Sequence, residues 1–236
     1  MTQPLSLDPA AVEPDLAEPA EVPAPAPVIG APELAAALAA RLCHDFISPA
    51  SAIVSGVDLL EDPSAQDMRD DALNLIGQSA RKLTALLAFS RVAFGASAAA
   101  ETFDVRDLHK LADGVFAHVR ASLEWDITPA SLQKAPARAL LNMAQLGATA
   151  LPTGGVARVT ATEGEGAVLL ALEAVGPRAR LRPEVLAGLR GEPQGEGLTG
   201  HWVQAYYLHA LVTAAGGRIE AQVVEEKVTL RARIPA

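Results

Sequence analysis

A single cysteine, Cys43, excludes any intramolecular disulfide and fits a reducing compartment. Aromatic residues are scarce, at 4%, although half the chain is hydrophobic. The apolar content is mostly Ala and Leu, which suits helical bundles better than β-sandwiches. Positive charge is also short. Nineteen Lys and Arg against 28 Asp and Glu leave a net charge of −9, which argues against nucleic acid as the main partner. No uninterrupted apolar run reaches the ~18–20 residues needed to span a bilayer, and no signal-peptide pattern opens the chain. These absences predict a soluble cytoplasmic protein with no membrane partner. The 236 residues suffice for one or two domains with real cores.

The charge is unevenly spread. Residues 1–32 contain no Lys or Arg but carry Asp8, Glu13, Asp15, Glu18 and Glu21, so the remainder holds only −4. Residues 1–31 are rich in Pro, Ala and Glu, and read as a disordered tail with too little apolar surface to offset its ordering entropy. Pro32 suits the first turn of a helix, with Glu33 well placed at its N-terminus. That helix is expected to run to about Leu60 and stop at Asp62-Pro63. Ser64 is the candidate cap of a second helix reaching about Phe94. Residues 32–100 thus predict an αα-hairpin. Met68, Ala72, Leu75, Ile76, Leu83, Leu86 and Leu87 exceed what Leu42 through Leu60 can cover, so a second copy is expected, closing a dimeric four-helix bundle.

Beyond Phe103 the pattern changes. Val105–Leu123 reads as helix, Trp125–Ile127 as a short strand and Ala137–Ala150 as helix. Gly155–Thr162 and Ala167–Val175 alternate as a hairpin. A short helix over Pro183–Leu189 and a longer one over Leu198–Ala215 precede a second hairpin, Arg218–Val224 with Lys227–Ile234. Helices on one face of a mixed sheet make residues 101–236 an α/β sandwich, and the whole chain α+β.

The chemistry concentrates in Arg41-Leu-Cys-His-Asp-Phe-Ile-Ser-Pro-Ala-Ser-Ala-Ile53. At 100° per residue, Leu42, Phe46, Pro49, Ile53, Val57 and Leu60 fall opposite His44. Arg41, Ser48, Ser51, Ser55, Asp58 and Asp62 fall near it. The imidazole is therefore predicted to face solvent among small hydroxyl residues that let another protein approach. Such a displayed nucleophile points to covalent chemistry with a macromolecule. Asp45 is placed to orient the ring or take up its proton, and Ser48 is a candidate helper. Pro49 cannot donate to the Asp45 carbonyl, so a local bend is expected. His109, His118, His201 and His209 lack metal-ligand spacing and read as structural, and Cys43 reads as a packing residue.

His44, Asp45, Ser48, Pro49 and Ile53 resemble the H-box of histidine kinases. Residues 103–236 resemble the ATP-binding domain of the same family. Leu-Leu-Asn142 through Pro152-Thr-Gly-Gly155 matches its N-box frame. Gly195-Glu-Gly-Leu198 is similar to the start of its last glycine box, with Ala-Ala-Gly-Gly-Arg-Ile219 at the familiar distance beyond. The departures carry more information. The resemblance implies a Mg²⁺-binding asparagine where Leu146 stands, an adenine-binding aspartate at Ala174, and glycines at Arg178 and Thr199. A hydrocarbon offers Mg²⁺ no oxygen, so a degenerate domain that binds no ATP or metal is expected. Gly195, Gly197 and Gly200 then make a flexible loop.

A phosphorylatable histidine without an ATP site is similar to the ChpT-type histidine phosphotransferases of alphaproteobacteria. That resemblance implies a homodimer in a cell-cycle phosphorelay. Phosphate would pass from the receiver domain of a CckA-like hybrid kinase through His44 to CtrA-like and CpdR-like response regulators. The receiver would supply Mg²⁺, because phosphoryl transfer is mostly positioning and charge stabilisation. Arg41, Ser51 and Ser55 are the expected receiver contacts beside His44. Arg178, Arg180 and Arg182 alternate where the nucleotide lid would be, and are expected to form a docking arm through bidentate carboxylate contacts. The competing readings are an active histidine kinase and an adaptor that binds receivers without carrying phosphate.

Overall fold

In a computed structural model, residues 29–95, 100–192 and 200–236 are described. The chain begins with helix α1, Ala31–Glu61. Gly30 caps it, and its N–H donates to the Glu33 carboxylate at 3.1 Å. Pro49 lies inside this helix without ending it, so the missing N–H is absorbed within one continuous element. A 3₁₀ segment, Pro63–Met68, leads to helix α2, Arg69–Ala93. The cap at this turn is Asp62, not the expected Ser64: the Asp62 carboxylate accepts from the Ser64 N–H at 2.8 Å. Pro63 immediately after Asp62 tightens the turn, and α2 proper starts at Arg69, four residues later than a Ser64 cap would place it.

The two helices form the expected hairpin, closest at Gly56. A Cβ there would meet Ile76 Cγ1 at 2.6 Å and the Ala72 carbonyl at 3.1 Å. Val57, opposite His44 by helical phase, is 40% exposed in the single chain. Ile47 and Val54 are exposed on α1, and Leu73, Leu75 and Leu87 on α2.

Strand β1, Thr102–Asp104, comes next, followed by helix α3, Val105–Phe116, and strand β2, Ala121–Ile127. The helix predicted over Val105–Leu123 is therefore too long. Asp104 starts α3 by accepting the Arg106 N–H at 2.8 Å, and a turn over residues 117–120 ends it. Strand β3, Ser131–Gln133, pairs antiparallel with β1, a three-residue ribbon the sequence did not announce. Helix α4, Lys134–Ala150, is buried along almost its full length. Strands β4, Gly155–Gly164, and β5, Ala167–Val175, form the first predicted hairpin. Helices α5, Pro183–Leu189, and α6, Gly200–Ala214, precede strands β6, Arg218–Val224, and β7, Lys227–Pro235.

The sheet order is β2-β4-β5-β7-β6, with β2 parallel to β4 and the other pairs antiparallel. One face carries Ala157, Val159, Leu170, Leu172, Leu230 and Ile234, all buried in a core shared with α3, α4 and α6. The other face is open. The N-terminal end of α1 packs on α6: Ile29, Leu34 and Leu38 lie against Trp202, Val203 and Tyr206. Among the described residues no helix is long and apolar enough to cross a membrane. Residues 1–28, most of the predicted tail, and Gly195, Gly197 and Thr199 lie outside the described residues.

Candidate functional site

His44 sits near the middle of α1, and its side chain is 87% exposed. Its Nδ1 lies 3.5 Å from Asp45 Oδ1. Nε2 has no protein partner among the described residues. Asp45 is 28% exposed, and its second oxygen stands 3.5 Å from Arg41 Nε. The three residues make a short line of alternating charge and ring, with His44 Nε2 at its free end. A carboxylate facing Nδ1 favours the tautomer protonated there, which leaves the Nε2 lone pair available.

Arg41 corrects the sequence reading. It was expected on the open side beside His44, yet only 7% of it is exposed. The helical phase counted α1 alone, whereas the C-terminal helices cover this flank. Burial draws the Arg41 guanidinium below its ordinary pKa, and the Asp45 charge opposes the shift. Ser48, Ser51 and Ser55 are exposed as predicted. Cys43, read as a packing residue, is exposed instead.

A groove of about 290 Å³ runs beside His44, between the hairpin and the C-terminal domain. Arg41, His44, Asp45 and Ser48 line it from α1, and Lys82 and Leu86 from α2. The opposite wall is Val115 in the last turn of α3 and His118 and Val119 just after it, with Gln145, Ala148 and Thr149 from α4. Sequence reasoning missed Lys82 and assigned His118 a structural role. No local motif marks either residue, since both reach the site only through tertiary packing. Ser51 and Ser55 lie further along α1 and do not line this groove.

Among the described residues of the frame that resembles a nucleotide site, the polar side chains bond to protein groups. Asn142 is fully buried, and its amide donates to the carbonyls of Ala93 at 3.1 Å and Arg138 at 2.9 Å. Gln204 on α6 donates to Asn142 Oδ1 at 3.3 Å and to Gln145 Oε1 at 2.6 Å. This network ties α4 to α6 and to the end of α2. Leu146 is 2% exposed and Ala174 is fully buried, both within the apolar core. Among the described residues no three of His, Cys, Asp and Glu converge on one point.

Arg178, Arg180 and Arg182 are exposed, while the intervening Ala179 and Leu181 are buried, as the alternation predicted. The segment is anchored to α4, because the Arg180 N–H donates to the Ala150 carbonyl at 3.0 Å. It therefore begins next to Thr149 on the groove wall, although none of the three arginines lines the groove. Arg182 stands 3.9 Å from Glu184.

The family described as "Histidine phosphotransferase C-terminal domain" matches residues 105–227. A curated relative from Brucella abortus (strain 2308), "Protein phosphotransferase ChpT", is 33% identical over 205 residues, 86% of this chain and 97% of that protein. A bacterial phosphotransferase solved at 1.7 Å superimposes with a TM-score of 0.78 at 33% identity, again covering 86% of this chain and 97% of its own. With a phosphotransferase relative aligned along most of its length and the family matched over half of it, this chain belongs to the ChpT-type histidine phosphotransferases.

Proposed function

We propose that this protein accepts a phosphoryl group on His44 from a receiver-domain aspartyl phosphate and passes it to the receiver domains of response regulators. The observation that carries this reading is the exposed imidazole, with Nδ1 facing Asp45 and Nε2 directed away from any protein partner among the described residues. In the forward step the Nε2 lone pair attacks phosphorus. The bond between phosphorus and the aspartyl oxygen breaks, and the carboxylate leaves with the electron pair. The ring becomes positively charged, and the Nδ1 proton stays facing Asp45, whose charge stabilises the product. The reverse step returns the phosphoryl group to a second receiver.

The groove offers one carboxylate, Asp45, beside Arg41 and Lys82. That donor set does not suit Mg²⁺, which demands several oxygens. In this reading the metal comes with the receiver. ATP plays no part, a view supported by the buried Leu146 and Ala174 and by the closed amide network of Asn142, Gln145 and Gln204. The exposed Ile47, Val54, Leu73 and Leu87 support a homodimer through the hairpin. Kinship with the ChpT-type proteins leads us to assign a CckA-like hybrid kinase upstream, CtrA-like and CpdR-like regulators downstream, and a cytoplasmic setting. Ser48, Ser51 and Ser55 border the approach to His44, and Arg178, Arg180 and Arg182 offer a second, cationic contact for an acidic receiver.

The test is transfer from a radiolabelled phospho-receiver. Label is expected to move onto the protein, and His44→Ala is expected to abolish the movement. Labelling by γ-labelled ATP alone would turn the reading into that of a kinase. Unchanged labelling of His44→Ala would reject the site.

A further inference from the structure

The amide network that ties α4 to α6 fixes the direction of one side chain that the relay step does not use. The Asn142 nitrogen is held by the backbone carbonyls of Ala93 and Arg138, so its oxygen faces Gln204. Gln204 answers with its own nitrogen, and that nitrogen also donates to Gln145 Oε1. Each bond sets the sense of the next, because a side-chain amide has one accepting and one donating end. Gln145 is thereby left with its NH2 group, which has no protein partner among the described residues. The side chain is only 9% exposed, and it lines the groove beside His44. A buried amide nitrogen without an acceptor is costly unless water or a ligand supplies one.

The other polar groups around the groove are of the same kind. Arg41, also nine-tenths buried, and Lys82 bring two permanent positive charges. His118 on the facing wall carries a ring N–H in either neutral tautomer. The single carboxylate, Asp45, has one oxygen 3.5 Å from Arg41 Nε and the other 3.5 Å from His44 Nδ1, so both are engaged. The Thr149 hydroxyl donates to the Leu146 carbonyl and adds no donor. Two cations thus stand against one carboxylate in a chain of net charge −9, with donors from α1, α2, α4 and the turn after α3. Leu86, Val115 and Val119 supply apolar wall, which lowers the local dielectric and strengthens a charge-assisted contact. That donor set matches a tetrahedral oxyanion, and about 290 Å³ holds one with several waters.

We infer that this groove is a phosphate subsite, in which Gln145 Nε2 and the Arg41 guanidinium bind the anion from the buried side and Lys82 and His118 close on it from the rim. Two sources carry that chemistry: inorganic phosphate, and a phosphoryl group borne by His44, which lines the same groove. The second source rests on the relay reading above, and the first does not. Held there, a phosphoryl group would wait between receivers with its negative charge compensated.

The test uses the full chain and its amide chemical shifts. Inorganic phosphate should shift the Gln145 side-chain amide and the Thr149 backbone amide saturably, and chloride at the same ionic strength should not. Gln145→Glu keeps an oxygen for Gln204 but turns the donor into an anion, and should abolish the saturable shift at Thr149. Lys82→Gln leaves the amide network intact and should raise the phosphate concentration at half-saturation about threefold. That second variant keeps the test decisive if Gln145→Glu folds poorly. Phosphorylating His44 from a receiver, then removing free phosphate, should reproduce the Gln145 shift and block the response to added phosphate. A Gln145 shift with inorganic phosphate alone assigns the subsite to the free anion, and one with phosphorylated His44 alone assigns it to the bound phosphoryl group. Failure of His44 to take label would reject the relay reading and leave the inorganic-phosphate result standing. No phosphate-specific shift from either source, or the same half-saturation in both variants as in the natural chain, would overturn the subsite.

Discussion

Replacing Asp45 by Asn removes one charge beside the reacting ring while keeping a side chain that can accept from Nδ1. The carboxylate oxygen is 3.5 Å from Nδ1 and the group is 28% exposed. A unit charge at that distance interacts by about 1.2 kcal/mol in water and about 2 kcal/mol at an effective dielectric near 50. Phosphorylated His44 carries the full positive charge on its ring, so the equilibrium between phosphohistidine and phospho-aspartate should fall about 8- to 30-fold. In the transition state the ring is about half charged, so the forward rate should fall only about fivefold. Rapid-quench transfer from a labelled receiver measures both quantities in one experiment. Arg41 loses its partner in this variant, so folding is monitored by thermal denaturation alongside. Equal rate and equilibrium in the two proteins would refute the electrostatic role. A rate loss beyond about 1,000-fold would refute it from the other side, because only a required proton transfer has that size.

Lys82 lines the groove with His44, so in the proposed transfer its charge would act on the phosphoryl group. Lys82→Ala should slow transfer by about three- to tenfold at low ionic strength, with the difference shrinking in high salt, and Lys82→Arg should restore most of it. Gly56→Ala forces a methyl against Ile76 and the Ala72 carbonyl, and should cost about 1–3 kcal/mol in urea denaturation. Asp104 caps α3, and its hydrogen bonds to the Arg106 side chain and N–H pull its carboxyl down to about 2. Because the folded-state value is depressed, its stabilisation is present above the unfolded value of about 4 and fades as pH falls through about 2. The stability gap between the natural chain and Asp104→Asn should therefore be full at neutral pH and close in that acid window, as measured by denaturation at stepped pH.

The face that displays His44 was legible because α1 is long and its apolar residues recur with helical period. Single-helix phase could not see Arg41, since its burial comes from a domain that lies later in the sequence and folds back over that flank. The same limit hid Lys82 and His118, which sit in unremarkable surroundings and meet only across the groove. In the C-terminal part the longer strands announced themselves by alternation. β1 and β3 did not, because three residues are too few to establish a period. The α3 end was missed where residues 117–120 turn without a glycine or proline to mark the break.

The C-terminal domain acquires a purpose once the groove is considered as a whole. Gln145, Ala148 and Thr149, which wall it, belong to the same helix as Asn142 and Leu146. In a kinase-like frame that helix would serve a nucleotide on one side and leave the histidine helix free to be visited. Here Asn142, Gln145 and Gln204 satisfy one another, and Ile29, Leu34 and Leu38 fasten α1 to α6. A domain held in this way gains rigidity. For His44 in the relay role proposed above, that rigidity is favourable. The ring must be presented in one orientation to successive receivers, and preorganisation lowers the cost of each encounter. The polar residues of the kinase-like frame thus act as fasteners, and the geometry of the fold serves to hold a wall beside His44. If that is their role, loosening the α4–α6 network with Gln204→Ala should leave His44 chemically intact yet raise the receiver concentration needed for half-maximal transfer. An unchanged concentration dependence, with the fold preserved, would show that the wall contributes nothing to docking.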